Sequence, residues 1–343
     1  MKTYASFAAS AAHLVGAAGI LHALFLSPTT SAMVTPDPDL DPAPSSVADL
    51  GSAEPPFEIG APHRVDFEPS VPWTPPTWFP AEGADALWVL PELDGAPTHD
   101  RGPRVRARAA IVADLDTGEV LWAQRPDDAL PVASLTKTVA ALALASTEPD
   151  LQQTLCVTED LWPSRSGARS RFVTGACHTG WEYLGAALVA SDNRGAMGLA
   201  GLSGLEYHAF VEQMETAGAQ LGLKARWADP AGLEDENLAS ARDMLKAIVA
   251  VSAHPDLSLA ASARTWKIDR DDGRRWLNTT NRLIDRWETL AAKTGYTSTA
   301  RYCFSQVVQT RTGRTLATVV LGSPTMASRF ADSRAMVDWA ERL

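Results

Sequence analysis

Pro131-Val-Ala-Ser-Leu-Thr-Lys137 is the stretch around which the rest of this 343-residue sequence falls into order. An apolar run to about Ala145 follows it, which is how a helix begins, so Ser134 stands at a helix start with Lys137 one turn on. The i,i+3 spacing puts both side chains on one face. A hydroxyl beside an amine is a candidate nucleophile and base, and the helix dipole favours negative charge developing there. Alone, such a pair is more often an ordinary helix start. Two further strings, Ser191-Asp-Asn193 and Lys293-Thr-Gly295, follow in that order at wide separation. The chain has only six lysines and four asparagines. In a chain of this composition all three strings coincide by accident on the order of once in a few hundred.

Together they describe an acyl-transfer site with a lysine as base. For Lys137 to accept a proton near neutrality its pKa must fall by about 3, or roughly 4 kcal/mol, from its usual value near 10.4. Burial and a second ammonium, that of Lys293, supply the shift. Ser191 and Asn193, two residues apart in an extended loop, point the same way, giving a hydroxyl to relay a proton and an amide to bind a carbonyl. Lys293-Thr294-Gly295 reads as the start of a strand whose edge faces the nucleophile. Gly295 lets a substrate backbone approach, and Lys293 and Thr294 bind a carboxylate or carbonyl. The N–H groups of Ser134 and Tyr296 form an oxyanion hole. A Ser-His-Asp triad is disfavoured, because no G-x-S-x-G surrounds a serine and only His178, His208 and His254 lie in the folded region. These histidines read as surface or capped residues. With no H-x-x-x-H or C-x-x-C, neither a metal nor a cofactor is expected.

Charge divides the chain. Pro36 to Asp100 holds 13 acidic residues against one basic, whereas from Arg101 onward there are 28 of each sign. No basic stripe for nucleic acid stands out. Residues 5–26 carry no formal charge and follow Lys2, so 1–34 reads as a signal peptide or an N-terminal membrane anchor, and the rest as exported to the periplasm or the outer face of the cytoplasmic membrane. Fifteen of the 23 prolines fall between Pro28 and Pro97, and 35–103 reads as an acidic, largely disordered spacer. Of the three cysteines, Cys156 and Cys177 can pair or stay free, and Cys303 reads as a buried thiol.

Residues 104–343 form the folded domain. An alternating run from Val105, a turn at Asp116-Thr-Gly118 and a second run to Gln124 read as a hairpin. Helices are expected from Ser134 to about Ala145, over Trp181–Ala190, Arg194–Ala200, Glu206–Leu221 and Ser240–Ser252. Strands follow over Leu290–Thr297, Ala300–Thr310 and Arg314–Leu321, then a last helix from about Ala327. The expected class is α+β, an antiparallel sheet built from both ends of the chain, flanked by helices, with an inserted helical subdomain.

With these residues in view, the sequence resembles the low-molecular-mass penicillin-binding proteins, the serine D-alanyl-D-alanine carboxypeptidase and endopeptidase family. The likeness runs from about Ala109 to Trp339 through AAIVADLDTGEVLWAQ, PVASLTK, LVASDN, DPAGL, SARDM, NTTNRL and KTGYTSTARYC. It implies a β-lactamase/transpeptidase-like fold and a Ser134 acyl-enzyme with Lys137 as general base. Ser191 and Asn193 are then relay and positioning residues, Lys293 to Gly295 the substrate edge, and Arg329 an arginine that helps bind the substrate's terminal carboxylate. It also implies peptidoglycan stem peptides as substrates and β-lactams as inhibitors. Arg301 departs from the family pattern by standing where glycine is usual. The Ser-Asp-Asn-Arg string and the end of the chain after its last helix resemble the endopeptidase branch.

Two other readings compete. A class A-like β-lactamase shares the three motifs but needs a carboxylate for deacylation, for which Glu234 and Glu236 are the candidates. A non-catalytic β-lactam or cell-wall sensor would keep the pocket without the reaction.

Overall fold

The computed structural model describes residues 91–159, 170–270 and 273–343. The expected signal or anchor, with its apolar stretch 5–26, and most of the expected spacer lie outside the described residues.

In chain order the strands and helices are β1 (Ala109–Asp114), β2 (Glu119–Gln124), β3 (Leu130–Pro131), a 3-10 turn (Ala133–Leu135) running into α1 (Thr136–Ala145), β4 (Thr154–Cys156), β5 (Cys177–Thr179), α2 (Gly180–Leu188), α3 (Asn193–Leu202) and α4 (Tyr207–Gln220). Then come β6 (Leu238–Ala239), α5 (Ala241–Ala253), α6 (Pro255–Ala261), β7 (Thr265–Ile268), β8 (Arg275–Asn278), β9 (Glu288–Thr297), β10 (Arg301–Gln309), β11 (Thr315–Ser323) and α7 (Met326–Ala340). Five strands make the main sheet in the order β2-β1-β11-β10-β9. All its pairs are antiparallel, so β1 and β2 from the start of the domain join three strands from its end. Between them lie helices α1 to α6, of which α5 packs on the sheet itself, and three short two-stranded sheets, an α+β arrangement as expected.

Both faces of the sheet are covered, which is why β1 reads as an unbroken apolar run. Successive side chains on a strand alternate faces. Ala109, Ile111 and Ala113 of β1 therefore pack with Val319 and Leu321 toward α1 and α5, in one apolar cluster. Ala110 and Val112 pack with Phe304, Val308 and Val320 against Phe330, Met336 and Val337 of α7 in the other. Helix α5 is buried along its whole length. Its start is fixed by a capping box, Ser240 accepting from the N–H of Asp243 while Asp243 accepts from that of Ser240, an arrangement worth about 1 kcal/mol.

Residues 91–103, read as the end of the spacer, lie against the domain. Arg242 of α5 donates to the carbonyls of Leu93 (2.7 Å) and Gly95 (3.1 Å), and Lys246 pairs with Asp94 at 2.8 Å. The N–H groups of Thr98 and His99 bond the carbonyls of Val120 and Leu121, partly covering the free edge of β2. Gly102 lies so close to the Trp122 indole that a Cβ would sit 2.3 Å from its ring. These anchors belong to α5 and β2, far along the chain, so local composition does not reveal them.

Cys156 and Cys177 are disulfide-bonded across β4 and β5, and Cys303 is a buried free thiol. The β7–β8 hairpin was not expected. His178 is no surface residue. It is buried and packed against Phe172 at 4.4 Å between ring centres, with Nδ1 3.6 Å from Glu182. Among the described residues no helix is long and apolar enough to cross a membrane.

Candidate active site

Three elements converge on Ser134. The first is the 3-10 turn leading into α1. The second is the loop between α2 and α3, and the third is β9, the edge strand of the main sheet. The turn opens on Ala133 at φ +50, a left-handed backbone that brings Ser134 round to the start of α1. One turn on, fully buried Lys137 places Nζ 2.9 Å from Ser134 Oγ, 2.8 Å from Asn193 Oδ1 and 2.5 Å from the carbonyl of Ala231. The i,i+3 expectation describes this pair correctly.

Burial pushes Lys137 down to about 7, against the opposing pull of the Asp229 and Asp192 carboxylates. Lys293 is also fully buried and is driven well below the usual lysine range, first by burial, then by the Lys137 and Arg329 cations. An amine that is neutral near pH 7 and 2.9 Å from a hydroxyl can take its proton.

Ser191 and Asn193 reach the site by a route other than the extended loop expected. Ser191 has φ +57, Asp192 caps α3 and Asn193 is its first residue. The two side chains therefore go to different lysines. Ser191 Oγ accepts from Lys293 Nζ at 2.7 Å, and Asn193 Oδ1 accepts from Lys137. Asp192, the middle residue of the motif, holds the loop by accepting from Ser170 Oγ at 2.7 Å and from the N–H of Arg171 at 2.9 Å. A left-handed non-glycine residue at this point is the kind of strain that clusters at reactive sites.

On β9, Thr294 is buried and its Oγ1 lies 2.7 Å from that of Thr280. Gly295 is explained by the protein's own packing: a Cβ there would meet the Val132 carbonyl at 2.8 Å and the Ser134 nitrogen at 3.2 Å. The glycine lets the strand and the Ser134 turn touch. Tyr296, the next residue, is half exposed and packs on Tyr302 at 4.4 Å between ring centres. Arg329 of α7 donates to the carbonyls of Gly295 (3.0 Å) and Cys303 (3.4 Å), and its guanidinium lies over the Tyr302 and Phe330 rings. Burial lowers it to about 10, and it adds positive charge behind Lys293. Arg301 has φ +60, the conformation for which glycine is the natural residue, and its exposed side chain reaches the carbonyl of Pro324 at 3.1 Å.

Two contributors were missed as chemistry in the sequence. Thr280 bridges the site, its N–H bonding the carbonyl of Val189 beside the Ser191 loop while its hydroxyl meets Thr294. Ala231 supplies a main-chain carbonyl, which no side-chain pattern reports. Glu234 and Glu236 are exposed, and among the described residues neither carboxylate bonds Ser134 or Lys137.

The family described as D-alanyl-D-alanine carboxypeptidase matches residues 96–325. A D-alanyl-D-alanine endopeptidase of Escherichia coli is 28% identical over 252 residues, covering 72% of this chain and 81% of the relative. Another from Pseudomonas aeruginosa is 30% identical over 239 residues, covering 68% of this chain and 76% of the relative. Among solved structures, a D-alanyl-D-alanine carboxypeptidase from Mycobacterium tuberculosis superposes with a TM-score of 0.65 at 25% identity, over 72% of this chain and 95% of that one. The Streptomyces DD-transpeptidase, at 20% identity and a TM-score of 0.66 over 71% of this chain and all of that one, shares the fold. The matched span takes in all three motifs and the elements that bring them together, and the chain belongs to the D-alanyl-D-alanine carboxypeptidase family, the serine DD-peptidases.

Proposed function

We propose that this serine DD-peptidase works through an acyl-enzyme on Ser134, with Lys137 as the base. The observation that carries the reading is a buried amine, lowered to about 7, held 2.9 Å from a hydroxyl at the start of a helix. Ser134 Oγ attacks the carbonyl of the penultimate D-alanine of a peptidoglycan stem peptide as its proton passes to Lys137 Nζ. The N–H groups of Ser134 and Tyr296 receive the oxyanion. The C–N bond then breaks, and the leaving amine takes the proton held on Lys137, with the Ser191 hydroxyl, seated on Lys293 at 2.7 Å, as the proposed relay. Water releases the acyl group with Lys137 again as base. Lys293 and Thr294, with Arg329 behind them, meet the terminal carboxylate, whose charge favours the protonated form of Lys293. β-Lactams, which carry an acylating carbonyl beside a carboxylate, would label the same serine.

The relatives named as endopeptidases favour cleavage of D-alanine cross-links alongside release of terminal D-alanine. The Cys156–Cys177 disulfide suits an oxidising, extracytoplasmic compartment, with residues 1–34 as signal or tether and 35–90 as spacer.

The experiment is incubation of the full chain, wild type and Ser134→Ala, with a D-Ala-D-Ala stem peptide and with a cross-linked muropeptide. Ser134-dependent release of D-alanine, of the cleaved cross-link, or of both supports the reading and assigns the branch. Product from neither substrate, with β-lactam labelling of Ser134 intact, would replace it with the sensor reading. Rapid β-lactam turnover would replace it with the β-lactamase.

A further inference from the structure

We infer that Asp229 is a positioning residue for acyl transfer: it folds the loop 229–234 so that the Ala231 carbonyl takes one N–H of Lys137 and leaves the amine's lone pair aimed at Ser134. The inference rests on the serine–lysine reading above and extends it to a loop outside all three motifs.

Asp229 is buried, and its carboxylate is the hub of the loop. Oδ1 accepts from the N–H groups of Ala231 (2.6 Å) and Gly232 (2.7 Å). Oδ2 accepts from those of Leu233 (2.9 Å) and Glu234 (2.8 Å) and from Asn237 Nδ2 (2.7 Å). Five donors on one buried carboxylate leave the loop little freedom. Asn237, itself fully buried, accepts at Oδ1 from the N–H groups of Ala228 (3.1 Å) and Asp229 (3.4 Å). Its main-chain carbonyl takes the N–H of Val132 at 3.2 Å, two residues before the nucleophile. Gly232, at φ +75, is pressed against the same turn, for a Cβ there would lie 2.0 Å from the Ala133 carbonyl oxygen. Loop and nucleophile turn are thus one hydrogen-bonded unit.

The consequence is at Lys137. A neutral amine has two N–H bonds and one lone pair, and three oxygens surround Nζ: Asn193 Oδ1, the Ala231 carbonyl and Ser134 Oγ. The first two can only accept, so they fix both N–H bonds. The lone pair is left facing Ser134. When the serine proton moves to Nζ the amine becomes an ammonium with three donors, and the same three oxygens accept them. Without the Asp229 hub the Ala231 carbonyl is free to turn, and the lone pair with it.

The charged groups around Lys137 are the Asp229 and Asp192 carboxylates and Lys293, which has Arg329 beside it. The carboxylates hold the lysine's proton against the burial that drives it off, and the second ammonium expected to help lower Lys137 is itself the group that Lys137 lowers. Removing Asp229's charge therefore moves the Lys137 midpoint down.

The test is the rate of Ser134 acylation by a fluorescent penicillin against pH, in the full chain, for wild type and Asp229→Asn. The limiting rate at high pH should fall on the order of tenfold to a hundredfold, with the acid limb displaced to lower pH. A purely structural aspartate would reduce the titratable fraction of active protein and leave the limb in place, and either that result or an unchanged limiting rate overturns the inference. If Asp229→Asn fails to fold, Asn237→Ala removes one of the carboxylate's five donors and the acceptor of the Ala228 and Asp229 N–H groups, and no charge. It should lower the limiting rate severalfold with the limb unmoved, and an unchanged rate overturns the inference. NMR of lysine labelled at Cε follows Lys137 independently of catalysis. A wild type that is never acylated would overturn the Ser134 reading, whereas a Lys137 midpoint unmoved in Asp229→Asn overturns this one.

Discussion

Replacing Lys137 by methionine tests the electrostatics of the site through folding stability, with no substrate involved. In the folded protein the buried ammonium gives up its proton at about 7. In the unfolded chain it keeps it to about pH 10.4. Between these values the unfolded state binds one more proton than the folded one, so stability rises with pH. The contribution is fully present above the unfolded value and is lost as pH falls through about 7. Integrated from pH 6 to pH 9 it amounts to about 2.7 kcal/mol. Lys137→Met keeps most of the volume and removes the titration. The wild type should therefore gain about 2.5–3 kcal/mol on the variant across that interval in urea denaturation. Lys293 acts in the same direction, because its own lowering depends partly on the Lys137 cation and weakens in the variant. Acylation of wild-type Ser134 should rise with pH to a plateau around the same midpoint. A stability difference that is flat from pH 6 to pH 9, or an acylation midpoint near 10, would refute the claim that burial makes Lys137 a base.

Three further outcomes follow from the packing. Gly295→Ala puts a Cβ 2.8 Å from the Val132 carbonyl and 3.2 Å from the Ser134 nitrogen. It should cost about 1–3 kcal/mol in stability and slow penicillin labelling on the order of tenfold to a hundredfold. At Arg301, with φ +60, Arg301→Gly should leave Tm unchanged or raise it, while the β-branched Arg301→Val should lower it by about 2–4 °C in a thermal scan. Cys156→Ser combined with Cys177→Ser opens a link of sequence separation 21 and should cost about 3 kcal/mol, with reductant producing the same loss in the wild type.

Much of the architecture could be read before the fold was known, because it rests on local rules. Short apolar runs on either side of the Asp116-Thr-Gly118 turn mark β1 and β2, capping residues mark α5, and the i,i+3 spacing fixes the Ser134–Lys137 pair. The side chains that converge at Ser134 lie in short strings and were legible for the same reason. The three strings also carry the serine, lysine and asparagine side chains that the structure brings within hydrogen-bond distance of one another. What it cannot show is which main-chain atoms meet those side chains. The Ala231 carbonyl, the contact of Gly295 with the Ser134 turn, and the left-handed Ser191 that sends Ser191 and Asn193 to different lysines all arise between segments far apart in sequence. The lowering of Lys137 belongs there too. A lysine's ordinary value is a property of the residue, but its burial belongs to the assembled core, so only the tertiary structure brings this ammonium down to about 7.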